Sequence, residues 1–492
     1  MSATIGFAVA VPFDLLPLLR GPAPYPPEWQ WEYRPLWAAG LEMPSRMLLA
    51  LGAGGALLAL VAASASAGAR RRPRAAWALV LAAATLLGWA FQLALVGLEP
   101  AGALRTLVAR TTSRTITSYH TAALMPEAQD PVAFLRRHHE LLAELRTSAK
   151  HAATHPPGPV LFYRGLVALC DGSPRLTRWA LAAVGDTPDR PFRPPNTPAS
   201  RAAALLGGLM LGLLGAATTW PVAALAGRVT SDPLSAARVG VLWNLLPGPA
   251  LMTPQFDQAL ALPVAGAAAL LAWSARTARP APPALLAGLC AGLALFTSYG
   301  AAAFLLIGGA AALALGAESG WPRAAKAAAW AAAGTGAVLG LTALLGHHPL
   351  RSALSALAIH REVYTAPRSY ALWSLFNPLD LAIFLGIPLA ILLALRAGRS
   401  SLALRPHAGA IPPADRFAIA ASAGLALLVL SGVTRGEVGR LWIPLMPFLL
   451  VAALARSRDG EKTTAGPNGR EALLLGFLLV PLSIVMRLYW GQ

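Results

Sequence analysis

Residues 202–226 read AAALLGGLMLGLLGAATTWPVAALA, without a single charged side chain. About 20 apolar residues in helical conformation are enough to cross the roughly 30 Å of hydrocarbon in a bilayer. The strands of a transmembrane barrel alternate apolar and polar residues, whereas the run LLGGLM at 205–210 does not alternate. The stretch therefore predicts a membrane-spanning helix.

Apolar runs of the same kind recur along the whole chain, which is 56% hydrophobic and only 13% charged. Soluble proteins of similar size carry about 25% charged residues. We therefore predict an all-α polytopic membrane protein with about 13 transmembrane helices. The predicted spans are 4–20, 46–68, 76–98, 202–226, 235–252, 259–275, 284–298, 300–316, 327–346, 378–395, 417–433, 441–455 and 471–489.

The formal net charge is +18, which in a soluble protein would suggest a nucleic-acid partner. In a membrane protein, Lys and Arg collect on the cytoplasmic side of the spans, so we predict no nucleic-acid partner. With the spans above, the basic clusters of the short loops fall on one side of the bilayer. They comprise Arg70, Arg71, Arg72, Arg74, Arg276, Arg279, Arg323, Lys326, Arg396, Arg399, Arg405, Arg416, Arg456, Arg458, Lys462 and Arg470.

The opposite, outer face receives one long polar loop, residues 99–201, that is rich in histidine. We divide the chain into an N-terminal helical hairpin (1–75), a transmembrane core that carries this loop (76–346) and C-terminal transmembrane helices (347–492). A chain that concentrates its polar groups on one face of a bilayer is expected to do its chemistry there.

Inside the loop, the spacing of apolar residues predicts a helix over 131–153. Asp130 before Pro131 suits a helix N-cap followed by proline at the first helical position. Residues 160–169 are apolar but too short to cross, which predicts an interfacial helix on the membrane or a half-helix. Segment 171–200 is rich in Pro, Arg and Asp and is expected to be irregular.

The sequence HPPGP at 155–159 joins these two helices. The consecutive prolines lack backbone donors and favour an extended entry. Gly158 allows close approach to another element. His155 therefore stands at a fixed position, either as a functional group or as a solvated residue of a stiff joint.

A transferase acting on a hydroxyl group needs a carboxylate as base, or a metal held by carboxylates. Glu127 and Asp130 are the acids of the loop that we consider for this role, although Asp130 could serve only as the helix cap. The histidines of the loop lack the HExxH arrangement of zinc sites. If a metal binds, we expect Mg²⁺ or Mn²⁺ at Asp130.

Two further charged groups lie at the outer ends of spans. Asp257 is an ionisable group near membrane depth, which makes it a functional candidate or a helix cap. Arg440 lies in a short outer turn, where positive charge opposes the topology rule. It could pair with Glu437 or bind a phosphate. Asn377 and Asp380 are expected to lie in a solvated loop.

Four stretches in this order resemble the GT-C superfamily of glycosyltransferases, membrane enzymes that use polyprenyl-phosphate sugars. They are HPPGP (155–159), LLPGP running to Asp257 (245–257), AGLCAGLALFTSYG (287–300) and RGEVGRLW running to Pro447 (435–447). The resemblance covers roughly residues 76–490. It departs from the family in RTITSYHTA (114–122), where Thr117 and Ser118 stand in place of the expected acid. Either Asp130 or Glu127 replaces that acid, or Asp14 of the N-terminal hairpin does, or the catalytic activity is altered or lost.

The resemblance implies inverting, mannosyltransferase-like transfer from a polyprenyl-phosphate sugar to an extracytoplasmic acceptor, in the cytoplasmic membrane of a bacterium. It implies that the active site faces outward and that a divalent cation is a possible cofactor. The implied catalytic residues are Asp130, Glu127 and His155. The implied substrate and phosphate ligands are Arg114, Tyr119, Asp257, Glu437 and Arg440.

Two other functions stay open at this point. A transporter or flippase would require inverted repeats and helices broken at the midplane. A non-catalytic GT-C-like subunit would fit the missing acid at 117–118. An active transferase predicts that Asp130, His155, Asp257 and Arg440 converge on one outer cavity.

Overall fold

A computed structural model describes residues 1–23, 25–35, 43–66, 73–185, 197–230, 232–316, 320–402, 404, 411–457 and 464–491. Its α-helices are α1 (Ser2–Ala10), α2 (Met43–Ala63), α3 (Pro73–Val96), α4 (Ala103–Thr112), α5 (Tyr119–Ala123), α6 (Pro131–Ser148), α7 (Gly158–Asp171), α8 (Pro174–Val184), α9 (Pro198–Ala217), α10 (Thr219–Thr230), α11 (Pro233–Trp243), α12 (Pro247–Leu251), α13 (Phe256–Ser274), α14 (Ala281–Thr297), α15 (Ala301–Leu315), α16 (Trp321–Leu344), α17 (Pro349–His360), α18 (Tyr370–Leu385), α19 (Ile387–Leu402), α20 (Pro413–Ser431), α21 (Val438–Leu441), α22 (Met446–Leu454) and α23 (Gly469–Tyr489). The strands, of two residues each, are β1 (Glu32–Tyr33), β2 (Arg456–Ser457), β3 (Thr464–Ala465) and β4 (Trp490–Gly491).

The described part of the chain contains seven helices long and apolar enough to cross a bilayer, or eight if α18 and α19 count as one broken span. They confirm an all-α integral membrane protein. The seven are Pro44–Ala63, Arg74–Val96, Pro198–Thr230, Phe256–Ser274, Trp321–Leu344, Pro413–Ser431 and Gly469–Tyr489. The predicted number of thirteen spans is not confirmed. Four of the apolar helices, α1, α14, α15 and α22, are shorter than the helices that qualify as spans.

Two predicted spans are broken. Residues 235–252 form α11 and α12 instead of one helix, since Pro247 and Pro249 cannot donate the backbone hydrogen bonds of a helix interior. Within 378–395, α18 and α19 meet at a bend of 117°. Gly386 occupies this bend with φ of +95°, a conformation that favours glycine.

The long loop folds into helices that pack on the bundle. As predicted, the Asp130 carboxylate caps α6 by accepting the Val132 and Ala133 amides at 2.9 and 3.1 Å. The apolar segment predicted at 160–169 lies within α7. The prediction of an irregular 171–200 is wrong for residues 174–184, which form α8. Proline at its first position and an amphipathic sequence explain this helix, while residues 186–196 lie outside the described residues.

Small residues bring neighbouring helices together. A Cβ on Gly288 of α14 would lie 2.0 Å from the Ala331 carbonyl oxygen of α16, and one on Gly334 would lie 2.3 Å from the Leu285 oxygen. Such contacts allow membrane helices to pack backbone against backbone. Gly158 makes the close approach predicted for it, since a Cβ there would lie 2.2 Å from the Phe296 oxygen.

A short antiparallel strand pair connects the N-terminal segment to the residues that follow α23, because β1 pairs with β4. The N-terminal segment therefore packs against the end of α23. Of the basic residues used to assign the sides of the membrane, Arg70, Arg71, Arg72, Arg405, Arg458 and Lys462 lie outside the described residues.

Candidate functional site

The candidate site forms around Arg440, where α21 meets the beginning of α13. Arg440 Nη2 lies 2.6 Å from Glu437 Oε2, and its Nε lies 3.7 Å from Asp257 Oδ2. Helix α13 has 19 residues, so its two ends are about 28 Å apart at 1.5 Å per residue. Asp257 lies in the first turn of this helix, and the basic residues Arg276 and Arg279 follow its other end. The cluster therefore lies at the end of the bundle opposite that basic loop.

A strained turn places Glu437 in this cluster. Gly436 and Glu437 have φ of +93° and +59°, and a non-glycine residue in the left-handed region is uncommon and costly. Asn377 fixes the turn by accepting the Gly436 amide at 3.1 Å and donating to the Thr434 carbonyl at 2.8 Å. One helical turn further, Asp380 accepts the Gly439 amide at 2.8 Å.

The prediction of a solvated loop for Asn377 and Asp380 is thus wrong. Both side chains are buried within α18. Buried polar groups require hydrogen-bond partners, and the backbone amides of Gly436 and Gly439 in the tight turn supply them. Asn377 and Asp380 support the backbone of the turn that carries Glu437, and neither residue lines the cavities of the site.

A second arginine reaches Glu437 from the segment between α17 and α18. Arg368 Nη2 lies 3.5 Å from Glu437 Oε1, and its Nη1 donates to the Arg435 carbonyl. Arg435 in turn donates to the backbone carbonyls of Thr365 and Arg368. The two arginines thereby tie the turn to this segment.

These charges determine the protonation of the cluster. Burial alone would raise the pKa of Glu437, but Arg440 and Arg368 hold it below its usual value. Burial alone would lower the pKa of Arg440, but Glu437 and Asp257 raise it. At neutral pH the cluster therefore contains an ionised Glu437 beside a protonated Arg440.

The outer loop contributes Tyr119 and two histidines. The rings of Tyr119 and His155 meet edge to face at 5.3 Å, and Tyr119 also contacts Phe256 at 5.2 Å. Burial, followed by the charge of Asp257, raises the pKa of Tyr119 well above its usual value, so its hydroxyl stays protonated. His151 lies with its ring centroid 6.3 Å from that of Tyr364.

His155 is a neutral group with a defined tautomer. Burial lowers the pKa of His155 to about 3, and that of His151 to about 4. The Nδ1 of His155 lies 2.8 Å from the His151 carbonyl oxygen, which can only accept a hydrogen bond. The proton of the neutral ring must therefore be on Nδ1, which leaves Nε2 as an acceptor. His155 can orient a hydroxyl group but is a poor proton acceptor at neutral pH.

Two cavities of different chemistry meet at Glu437 and Arg440. The larger, of about 230 Å³, is lined by Trp29, Gln30, Trp31, Glu32, Thr115, Ile116, Gln255, Glu437 and Arg440. The smaller, of about 50 Å³, is lined by His151, Thr154, His155, His360, Tyr364, Arg368, Thr434, Arg435, Gly436, Glu437, Arg440 and Leu441. The larger cavity is walled by tryptophans, whereas three arginines surround the smaller one.

The N-terminal segment is fixed over the larger cavity. The Trp31 indole donates to Asp380 Oδ1 at 3.0 Å, and the Trp29 and Trp31 rings pack edge to face at 5.0 Å. Glu28 accepts the Ser369 amide at 2.6 Å and also the Trp373 indole. Residues 28–31 therefore belong to the site, although they are far from it in sequence.

The structure brings together part of the predicted set. His155, Glu437 and Arg440 line the two cavities. Asp257 and Tyr119 line neither, but they contact Arg440 and His155 from behind them. The other predicted residues are neither in the lining nor among these contacts.

Each of those other residues has a different place. Asp130 is exposed and caps α6. Arg114 is exposed and donates to the Ser148 carbonyl. Glu127 lines a separate cleft of about 10 Å³ beside Phe134. Asp14, an alternative acid of the N-terminal hairpin, forms a two-bond ion pair with Arg20.

The pair Thr117–Ser118, which stands where the resemblance to the GT-C superfamily led us to expect an acid, has a structural environment of its own. Ser118 Oγ accepts the His151 and Ala152 amides at 3.0 and 3.1 Å. Thr117 is buried beside it. Ser118 therefore holds the backbone that leads to His155, and neither Thr117 nor Ser118 can act as a carboxylate base.

A metal at Asp130 does not fit the residues around it. Its Oδ1 already accepts two backbone amides, and Mg²⁺ or Mn²⁺ prefers several oxygen ligands. Among the described residues, no group of three or more His, Cys, Asp or Glu side chains is arranged to hold a metal ion.

Sequence reasoning missed Arg368, Tyr364, His360 and the Trp29–Trp31 pair. The spacing WQW at 29–31 is a visible aromatic signal in a polar segment, and such residues often bind ligands. Arg368 carries no comparable signal, because only the fold brings it to Glu437.

No protein-family model, no curated protein and no solved structure matches this chain. Its function must therefore be inferred from its own residues and their geometry.

Proposed function

We propose that this protein is a GT-C-like membrane glycosyltransferase that moves a sugar from a polyprenyl-phosphate donor to an acceptor outside the cytoplasmic membrane. One observation supports the proposal above others. Glu437 and Arg440 form a common wall between an arginine-lined cavity and a tryptophan-lined cavity. A glycosyltransferase needs its donor site and its acceptor site to adjoin. The anomeric carbon of the sugar leaves the donor phosphate and bonds to the acceptor oxygen, so both must reach this one carbon.

The smaller cavity suits the donor phosphate. Arg368, Arg435 and Arg440 line it with one acid, Glu437. Guanidinium groups bind phosphate oxygens with paired hydrogen bonds and remain charged at neutral pH. The negative charge that develops on a departing phosphate would be stabilised there, which is commonly a large part of catalysis.

The larger cavity suits the acceptor. Trp29 and Trp31 offer aromatic faces, while Gln255, Thr115 and Glu437 offer hydrogen-bonding groups. This combination of apolar walls and a few polar groups is typical of sites for small molecules, and it matches a sugar ring. We assign this cavity to a hydroxyl-bearing acceptor, a glycan or glycolipid.

Glu437 is the proposed base in place of Asp130. The acceptor oxygen bonds to the anomeric carbon as the bond from that carbon to the phosphate oxygen breaks. The hydroxyl proton passes to Glu437, and the bonding electrons leave with polyprenyl phosphate. When the donor phosphate engages Arg440 and Arg368, these cations no longer stabilise the Glu437 carboxylate alone, so its basicity rises.

The other residues of the site act on these groups. Asp257 positions Arg440 from the start of α13. The unprotonated Nε2 of His155 can orient a sugar hydroxyl, and Tyr119 packs edge to face against the His155 ring at 5.3 Å. No step requires His155 to take a proton, in agreement with its low pKa.

Reconstitution into liposomes tests the proposal. The purified protein is supplied with a panel of radiolabelled polyprenyl-phosphate hexoses and with bacterial envelope glycans as acceptors. We expect label to leave one of the lipids, with release of polyprenyl phosphate, and Glu437→Gln to prevent it. Glu140→Gln is the matched control, because the Glu140 side chain is 60% exposed on α6.

A transporter is the second candidate, favoured by the 117° break between α18 and α19. Transporters often place broken helices at their substrate site. The same liposomes distinguish the two functions. Label that crosses the bilayer while still attached to its lipid supports a transporter, and intact donor on its original side contradicts both functions.

A further inference from the structure

Two histidines that line the smaller cavity, His155 and His360, each have an unprotonated Nε2. The Thr365 hydroxyl donates to the Val433 carbonyl at 3.0 Å, so it accepts a hydrogen bond from His360 Nδ1, which lies 3.3 Å away. The proton of the neutral His360 ring is therefore on Nδ1, as it is in His155. Within the described part of the chain, the Nε2 of neither ring takes part in a hydrogen bond.

These two rings do not suit an oxyanion in their neutral form. A phosphate oxygen without a hydrogen only accepts hydrogen bonds, and so does an unprotonated Nε2. The contact becomes attractive when one ring takes up a proton, because the Nε2–H group of a charged imidazole donates a strong hydrogen bond to an anionic oxygen.

The charges around the smaller cavity favour this protonation once a dianion is bound. The lining contains three arginines, Arg368, Arg435 and Arg440, and one acid, Glu437. Asp257 faces Arg440 from behind, at 3.7 Å. Three positive and two negative charges leave one positive charge. A phosphate dianion turns this into one negative charge, which a proton on a lining histidine neutralises.

His360 is better suited than His155 to hold this proton. Burial lowers the pKa of His360, Arg368 lowers it further, and Glu437 raises it. Burial lowers the pKa of His155 to about 3, so its protonation would require a larger change. The other titratable and charged groups near His360 are Tyr364, whose ring centroid lies 5.5 Å away, Arg361, and the ion pair of Arg146 with Glu362.

We propose that the smaller cavity binds a phosphate dianion together with one proton, which His360 takes up from water on its Nε2. This inference rests on the proposed function, because it takes the smaller cavity as the phosphate site. A polyprenyl-phosphate sugar is a diester with one negative charge, whereas the released polyprenyl phosphate is a monoester that carries two above its second pKa of about 6. The cavity therefore binds the product more weakly as pH rises, which favours product release.

Isothermal titration calorimetry of the purified full-length protein in detergent tests the proton uptake. Inorganic sulfate is the probe, because it has the tetrahedral oxygens of phosphate and remains a dianion throughout. We expect its affinity to fall about 10-fold between pH 7 and pH 8 at constant ionic strength, since uptake of one proton makes affinity proportional to proton concentration. The heat of binding at one pH should also differ between Tris and HEPES, which release that proton with different enthalpies.

His360→Gln is the test variant, because the glutamine amide donates a hydrogen bond to an oxyanion without taking up a proton. Sulfate should still bind to this variant, but with an affinity that no longer changes with pH. His348→Gln is the matched control and should keep the 10-fold change, since His348 is exposed and lines neither cavity.

The outcomes separate this inference from the proposed function. Sulfate binding that keeps its pH dependence in His360→Gln would overturn the assignment to His360. Binding to the wild type without pH dependence would overturn the proton uptake and leave the phosphate site standing. Failure of the wild type to bind sulfate at either pH would contradict the phosphate site itself, and with it the proposed function.

Discussion

The Arg440 guanidinium joins two acids from distant parts of the chain, with Nη2 2.6 Å from Glu437 Oε2 and Nε 3.7 Å from Asp257 Oδ2. Asp257 lies in the first turn of a membrane span, and Glu437 occupies a strained turn. The Arg440 guanidinium therefore links the turn that carries Glu437 to the first turn of α13. It does so where the two cavities adjoin.

Replacing Glu437 by Gln should reduce transfer by about 10²- to 10⁴-fold, because the amide cannot take the proton of the acceptor. Donor binding should persist, since Arg440 and Arg368 remain. Initial rates and donor binding, measured separately, check this. Wild-type rates in Glu437→Gln would exclude this residue as the base.

Arg440→Lys should impair transfer nearly as much as Arg440→Ala. Lysine keeps the charge but loses the planar fork that can contact a phosphate and two acids together. The measurement is kcat with saturating donor, with Arg137→Lys as the exposed control. Full activity in the lysine variant would show that charge alone suffices and would contradict a role for the paired hydrogen bonds.

Trp29→Leu should raise KM for the acceptor and leave KM for the donor unchanged. The leucine removes an aromatic face from the larger cavity, where Trp29 lies, but leaves the arginines of the smaller one unchanged. We expect KM for the acceptor to rise about 10-fold, in line with the loss of one or two kcal/mol of aromatic contact. A selective rise in donor KM instead would reverse our assignment of the cavities.

Asp130→Ala should lower stability by about 1 kcal/mol, as loss of a helix cap usually does. Activity per folded molecule should be retained, because the carboxylate caps α6 and lines neither cavity. Unfolding midpoints and initial rates on the same preparation separate the two effects. Loss of activity in a folded Asp130→Ala protein would favour Asp130, rather than Glu437, as the catalytic base.

Stability should fall in mild acid because buried histidines are neutral in the fold. Burial lowers the pKa of His138 and His155 to about 3 and of His120 to about 4. Their folded pKa lies below the unfolded value of about 6.5, so their contribution is complete above that pH and is lost as pH falls toward the folded value. Each group should cost about 1.4 kcal/mol per pH unit within this window.

Unfolding midpoints between pH 7 and pH 5 check this dependence. His138→Phe should reduce the slope of the unfolding midpoint against pH, because this side chain is fully buried in α6. His348→Gln, at an exposed position, should leave it unchanged. An identical slope in wild type and His138→Phe would show that other groups govern the acid sensitivity.

Local sequence was sufficient for the class of fold. A span is recognisable because about 20 consecutive apolar residues must satisfy their backbone hydrogen bonds internally in lipid. The Asp130–Pro131 cap is recognisable for a similar reason, since its hydrogen bonds reach only two and three residues along the chain. Gly158 was identified by its residue type, although its partner Phe296 was not.

The breaks in the spans were less predictable. Pro247 and Pro249 were visible in the sequence, yet hydropathy alone extended a helix through them. The broken helices are stabilised by contacts with distant elements, such as the buried Asn244 amide that donates to the Ala84 carbonyl at 3.1 Å. Hydropathy counts apolar residues and does not register such partners.

The sequence by itself determined a helical membrane protein with a long polar loop and with charged residues at the ends of its spans. Only the tertiary structure decided that Arg440 and Asp257 meet while Asp130 lies apart, and that Trp29 and Arg368 belong to the same site. Helix propensity and hydropathy depend on near neighbours in the chain. A binding site depends on the packing of helices, which brings together residues hundreds of positions apart.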